Sequence, residues 1–456
     1  MSEQSDATAR KLEKVSLREI LALALPALGV LAATPLYLLL DTAVVGRLGQ
    51  HELAALGAAT TIQATVTTQL TFLSYGTTAR SARLYGAGKE RDAVGEGIHA
   101  TWVALTVGFL IAVVILTAAP RLTLWLAGDT VVAAEATTWL RVAGLGIPLI
   151  LVTMAGNGWL RGIQNTRLPL WFTLAGVIPS AALVPYLVGH FGIVGSAWAN
   201  LTGESITAIL FLVCLARMHE GDWRPNLRIM RKQLVMGRDL IARSLSFQIA
   251  MISAAAVSAR FGAASLAAHQ VMLQLWNFLS LVLDSLAIAA QAMTGAALGA
   301  GTAQLARSVG TRVTAYSCGL AVVLAVVFAF GHVFIPGLFT SDTETLAAMS
   351  GPWWLLIVMI IAGGVVFALD GVLLGAGDVA YLRNATITSV LIGFVPGVWL
   401  ALLTDSGLTG VWCGLSAFMF LRLGFVIWRF RSMRWAGAGS TTDLGEKDGG
   451  VGSGAA

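Results

Sequence analysis

Arg47-Leu48-Gly49-Gln50-His51-Glu52-Leu53-Ala54-Ala55 returns 213 residues later as Arg260-Phe261-Gly262-Ala263-Ala264-Ser265-Leu266-Ala267-Ala268. At the same offset Gly86-Ala87-Gly88 falls on Gly299-Ala300-Gly301, and Arg161-Gly162-Ile163-Gln164-Asn165 falls on Leu374-Gly375-Ala376-Gly377-Asp378. With a two-residue shift, Gly192-Ile193-Val194-Gly195 meets Gly407-Leu408-Thr409-Gly410. Three ungapped matches at one spacing identify a chain made of two copies of one unit. In a chain this apolar, duplicated units point to a transporter whose halves rock around a shared cavity.

Charged residues are 12% of the chain, against about 25% in soluble domains, while 57% are hydrophobic and the mean hydropathy is +0.78. Charge-free stretches recur over 97–120, 142–160, 168–203, 261–283, 313–341 and 345–369, each near or above the roughly 20 apolar residues that a span requires. Because lipid offers no partner to backbone amides, such spans must be helices. The expectation is an all-α polytopic membrane protein with twelve transmembrane helices, near 18–45, 52–84, 95–119, 133–160, 168–189, 192–217, 235–260, 264–298, 304–331, 345–374, 382–404 and 407–431. They divide into a six-helix bundle over 17–217, a basic linker over 218–234 and a second bundle over 235–431. Flanking these are a polar segment, 1–16, and a Gly/Ser/Ala/Asp-rich tail over 432–456, expected to be disordered.

The basic residues assign the orientation. With both termini inside, the cytoplasmic side collects the arginines and lysines of 10–18, 80–91, 161–167, 217–238, 307–312, 383 and 429–434, leaving Arg47, Arg121 and Arg260 outside. That asymmetry is the positive-inside signature, and it predicts a multi-pass protein of the inner, or plasma, membrane. The same scatter argues against nucleic acid as the partner of a chain with pI near 9.3. The first apolar stretch lacks a small-residue cleavage site and reads as a retained span. Cys214, Cys318 and Cys413 fall inside predicted helices without ligand spacing and read as packing residues. No phosphate loop, His-Glu-x-x-His or nucleophile elbow occurs, so neither an enzyme nor an ATP-driven pump is expected.

Buried polar groups are the candidates for coupling, because ionisable residues in a bilayer are costly and usually functional. Asp41 leads: it follows twenty-one uncharged residues and lies six after Pro35, which can bend a helix towards a cavity. Removal from water disfavours the ionised form of a carboxyl group, so Asp41 is read as a proton site. The alternative is an interfacial pair with Arg47. Asn157 and Asp370 are repeat-related polar positions for an ion, substrate or gate contact, or simply for hydrogen bonds between helices. Hydropathy puts Asn157 towards the inner end and Asp41 towards the outer. Glu204 and Asn200 join the first-half coupling set, with a satisfied structural pair as the alternative for Glu204, and Asp284 is a second-half substrate candidate. Tyr37, one turn before Asp41, and Met154 suit flat cationic ligands, though both are more often core. His269 reads as a hydrogen-bonded bundle residue near a possible second-half gate, and Gly371-x-x-x-Gly375 as a spacing of little weight among 50 glycines.

The stretch Pro35-Leu36-Tyr37-Leu38-Leu39-Leu40-Asp41-Thr42-Ala43-Val44-Val45-Gly46-Arg47-Leu48-Gly49 resembles the first helix of the multidrug and toxic compound extrusion (MATE) transporters, in particular their DinF-like branch. Residues 160–169, Leu266-Ala267-Ala268-His269-Gln270 and 369–378 resemble further segments of that family, so the likeness spans about 15–430. It implies a V-shaped pair of six-helix bundles that exports amphipathic, often cationic compounds in exchange for protons or sodium; a monomer without a cofactor is expected. The family's first-half ion site draws an Asn and an Asp from helix five, where this chain has Ser180 and Val184. Sodium prefers a cage of oxygens and a proton needs one carboxylate, so proton coupling is expected unless Glu204 compensates. The alternatives are a lipid-precursor flippase and a non-catalytic scaffold. A flippase predicts a cavity with several basic residues, whereas Arg141, Arg243 and Arg422 are expected near helix ends, where they can snorkel.

Overall fold

A computed structural model describes residues 15–437, and among these every regular element is helical. The first half comprises α1 (Leu17–Val45), α2 (Gln50–Leu70), α3 (Phe72–Gly86), α4 (Glu90–Ala127), α5 (Thr130–Gly144), α6 (Ile147–Gly162), α7 (Arg167–Phe191) and α8 (Ile193–Met218). The second comprises α9 (Leu227–Arg260), α10 (Ala263–Gly299), α11 (Ala303–Phe330), the short α12 (Phe334–Phe339), α13 (Thr343–Ala376), α14 (Val379–Ser389), α15 (Val395–Leu403) and α16 (Gly407–Ser432). A π-helical turn, Val390–Phe394, joins α14 to α15 in one rod. Ten helical spans among the described residues are long and apolar enough to cross a membrane, and the pair α5 and α6, bent by 46°, makes an eleventh. The α2 and α3 rod, broken only at Thr71, stands where a twelfth span was expected, but its Thr- and Gln-rich α2 keeps it from counting among the spans apolar enough to cross.

Local chemistry sets the ends. Ser16 and Glu19 form a reciprocal capping box on α1, with the Ser16 amide donating to Glu19 Oε2 at 2.8 Å and the Glu19 amide to Ser16 Oγ at 3.4 Å. The Asp129 carboxylate accepts from the amides of Val131 and Val132 to start α5. Three expected boundaries change. The basic segment over 227–234 is the first turns of α9, because Asn226 caps them, so the linker shrinks to 219–226. It is clasped to α4 by a Trp102 indole hydrogen bond to the Trp223 carbonyl, at 2.8 Å. At the C-terminus, Arg434–Gly437 form a 3₁₀ turn with Trp435 buried on Phe430; the rest of the expected tail, and residues 1–14, lie outside the described residues. Cys413 is exposed on α16 and packs no core.

Both copies of the repeat build the same helix pair. In the first half Gly158 of α6 abuts the Ser74 carbonyl of α3, and Gly162 abuts Ser81 and Ala82. In the second, 213 residues on, Gly371 of α13 abuts the Ala287 carbonyl of α10 and Gly375 that of Gln291. Small residues at this spacing bring backbones into contact, so the glycine spacing read as incidental is a packing device used in both halves.

Alternation of the helices puts the α3–α4, α10–α11 and α13–α14 turns on the face that carries the linker. There the halves meet backbone to backbone: a Cβ on Gly86 would strike the Ala296 carbonyl, and one on Gly299 the Arg83 carbonyl. Around this contact Arg83 donates to the Ala376 carbonyl at 3.1 Å, Gln164 to Ala292 at 2.8 Å and Gln291 to Tyr75 at 2.7 Å. Towards the other face α2 exposes Gly57, Thr61 and Ala64, and α10 exposes their repeat counterparts Gln270, Gln274 and Asn277. Amides such as these belong in water, not lipid, so the halves enclose a cleft open on the face opposite the linker.

Candidate functional site

A cavity of about 310 Å³ opens within the first half, between α1, α3, α6, α7 and α8. Five of the expected residues line it: Tyr37, Met154, Asn157, Asn200 and Glu204. The two depths assigned to Asp41 and Asn157 are reconciled by its length, since it runs from the outer half of α1 to the linker-side end of α6. Aliphatic and thioether surface from Val30, Leu31, Ile150 and Met154 forms part of its wall.

Asp41 stands immediately behind this cavity, one turn beyond Tyr37 on the same face of α1. It is 1% exposed. The Ser196 hydroxyl donates to its Oδ2 at 2.7 Å, and the Trp139 indole donates in turn to Ser196 Oγ at 3.1 Å. The other carboxylate oxygen, Oδ1, is buried without a hydrogen-bond partner, as are the Tyr37 hydroxyl and Asn157 Oδ1. Asp41 does lie within a turn of the end of α1, but no ion pair joins it to Arg47 among the described residues, so the interfacial-pair alternative falls. On α7, Ser180 gives its hydroxyl to the Ala199 carbonyl at 2.7 Å, while Val184 is fully buried.

Asp284 lies across the junction of the halves, where the Tyr75 hydroxyl donates to its Oδ2 at 3.1 Å. Tyr75 itself lines the first-half cavity, so one side chain joins that cavity to the second half. Asp370 and His269 are not part of this site. Asp370 is held by Arg243 Nη2 at 2.6 Å and by Arg422 Nη2. Both arginines are therefore buried or nearly so on a carboxylate, correcting the expectation that they snorkel from helix ends. His269 is fully buried with its ring near Trp412, and neither nitrogen has a hydrogen-bond partner, which corrects its reading as a hydrogen-bonded bundle residue. The cavity contains one basic side chain, Arg161, where a flippase predicts several.

Sequence reasoning missed Ser196, Trp139, Tyr75 and Arg161 as site residues. Arg161 was counted among cytoplasmic loop charges, yet it is 6% exposed within α6. Its fourth-residue spacing from Asn157, one helical turn on the same face, was the available signal.

Comparison with known proteins gives a consistent picture. The MatE family model matches residues 26–187 and 240–399, one match in each half. Protein DETOXIFICATION 44, chloroplastic, of Arabidopsis thaliana is 31% identical over 90% of this chain and 81% of its own length. DNA damage-inducible protein F of Escherichia coli strain K12 is 28% identical over 91% of this chain and 93% of its own. A solved structure described as MATE in the bent conformation has a TM-score of 0.86 at 21% identity, covering 95% of this chain and 98% of that one. A MOP superfamily transporter from Pyrococcus furiosus has a TM-score of 0.82, also at 21% identity, covering 95% and 99%. These two establish the fold.

Proposed function

The chain belongs to the MATE family of multidrug and toxic compound extrusion transporters, and on that premise we propose that it is a secondary antiporter, exporting amphipathic compounds from the first-half cavity in exchange for protons carried by Asp41. The observation that carries this reading is the unpartnered Asp41 Oδ1 in a site without an ion pair. A buried carboxylate with one oxygen satisfied and the other free has a place for one proton and a reason to take it. Sodium would need several more oxygens, and Val184 stands where the resemblance implies a second carboxylate, so among the described residues Asp41 has no acidic partner beside it for a cation cage. Tyr37, at the cavity edge one turn away, links the charge state of Asp41 to the ligand space. The positive-inside pattern supports both termini lying in the cytoplasm, which makes the open cleft outward-facing.

Asp41→Asn tests this. The amide keeps the size of the side chain and accepts the Ser196 hydrogen bond, but cannot change charge. In proteoliposomes the variant should insert and fold normally while efflux driven by an imposed pH gradient falls to background. Undiminished pH-driven efflux would remove Asp41 from the mechanism. Efflux that follows a sodium gradient at clamped pH, and is lost in Glu204→Gln, would replace the proton by sodium.

A further inference from the structure

We propose that Arg161 binds an acidic group of the transported compound, so that the cavity selects amphiphiles bearing a carboxylate as well as a cationic nitrogen. The inference rests on the first-half cavity being the transport site, and it narrows the substrate class of that site.

Arg161 is a buried cation that no carboxylate among the described residues touches, although Asp284 lies close enough across the junction to attract it. Of its five N–H donors, the structure satisfies one, through Nη1 to Ser74 Oγ at 3.2 Å. No carboxylate forms an ion pair with it among the described residues; Asp284, across the junction, is engaged by the Tyr75 hydroxyl instead. Five other arginines of the bundles do rest on acids, Arg80 on Glu96, Arg383 on Asp239, Arg429 on Asp378, and Arg243 and Arg422 on Asp370, whereas the buried Arg83 donates to the Ala376 carbonyl and lines no cavity described above. A desolvated guanidinium with donors left unsatisfied is costly, and here it lines a cavity of about 310 Å³. Its planar fork matches a carboxylate through two parallel hydrogen bonds. Nearer the opposite face, the Tyr37 hydroxyl and Glu204, which forms no hydrogen bond among the described residues, offer acceptors to a cationic nitrogen. An acid-accepting floor and an amine-accepting upper wall, separated by aliphatic surface, describe a zwitterionic amphiphile.

The test is equilibrium binding by fluorescence anisotropy, with the protein in lipid nanodiscs, of rhodamine 110 and its methyl ester rhodamine 123, which differ only in the free carboxyl group. The acid should bind about tenfold more tightly or better, the equivalent of one charge-assisted hydrogen-bond set. Arg161→Gln should bring the acid down to the ester's affinity and leave the ester unchanged, Arg161→Lys should keep part of the preference, and Glu204→Gln should keep all of it. Equal or tighter binding of the ester, a preference that survives Arg161→Gln, or binding of neither dye would overturn the proposal. If Arg161→Gln elutes as aggregate, Arg161→Lys decides: a preference undiminished by loss of the fork overturns it. Proteoliposome transport separates this from the antiport reading. An acid preference in binding without pH-driven movement of either dye sinks antiport alone, while pH-driven movement of dyes that bind equally sinks the role of Arg161 alone.

Discussion

Asp41 and Asp370 show how differently one residue type can be used within the same duplicated frame. Asp41 has a neutral shell of Ser196 and Trp139, whereas Asp370 sits between two guanidinium groups brought by α9 and α16. The repeat counterpart of Asp370 is Asn157, which faces the first-half cavity with no basic partner. The second-half acid is thus gripped by two guanidinium groups, where the first-half one has neutral neighbours. Asp370→Asn should leave two buried arginines without their counter-ion and lower stability by about 3–5 kcal/mol, read as a clear drop in melting temperature in detergent. Asp41→Asn, which strands no charge, should melt close to the parent protein. Asp41, Tyr37, Asn157 and Glu204 were legible because a polar residue inside an apolar run must be explained. Arg161 was not, because a basic residue beside a turn looks like a loop charge, and Ser196 was not, because a lone serine in a helix carries no signal until its partner is known.

The helix pairs carry the duplication into packing. Gly371 and Gly375 allow the backbones of α10 and α13 to touch, as Gly158 and Gly162 do for α3 and α6. Gly371→Val should therefore cost about 1–3 kcal/mol or more, the range for overpacking, and reduce the melting temperature accordingly. Gly319→Val on α11, where an added Cβ meets nothing within 4 Å, should have little effect; equal losses in the two variants would deny the α10–α13 contact its role. The twelve rods were readable to within a few residues wherever hydropathy ended sharply. Two features escaped. The break at Thr71 leaves no mark in composition, and the start of α9 was misplaced because its first turns are basic and project into water, which hydropathy counts as loop.

At the scale of the molecule, the halves are joined firmly on the linker face and stand apart on the other. Among the described residues Tyr75 is the one cavity-lining side chain whose hydroxyl reaches a carboxylate of the opposite half, Asp284. A hydrogen bond to a charged group contributes about 1.5–3 kcal/mol, so Tyr75→Phe should shift the balance between the two arrangements of the halves by roughly tenfold or more towards opening on the linker face. Spin labels at the exposed positions Gly57 and Gln270 should report this as a larger population at short separation. An unchanged distance distribution would assign the closure to the backbone contacts alone.

Those backbone contacts are reciprocal. Gly86 rests on the second half's Ala296, while Gly299, its own counterpart by duplication, rests on the first half's Arg83. Each turn is seated in the other, so neither half can tilt away and free one contact while the second stays made. Parting is all-or-none. For the proposed antiporter, a barrier built in this way would leave no ajar state through which ions could slip past the substrate: interlocking turns would protect the gradient, without any bulky plug to be moved aside.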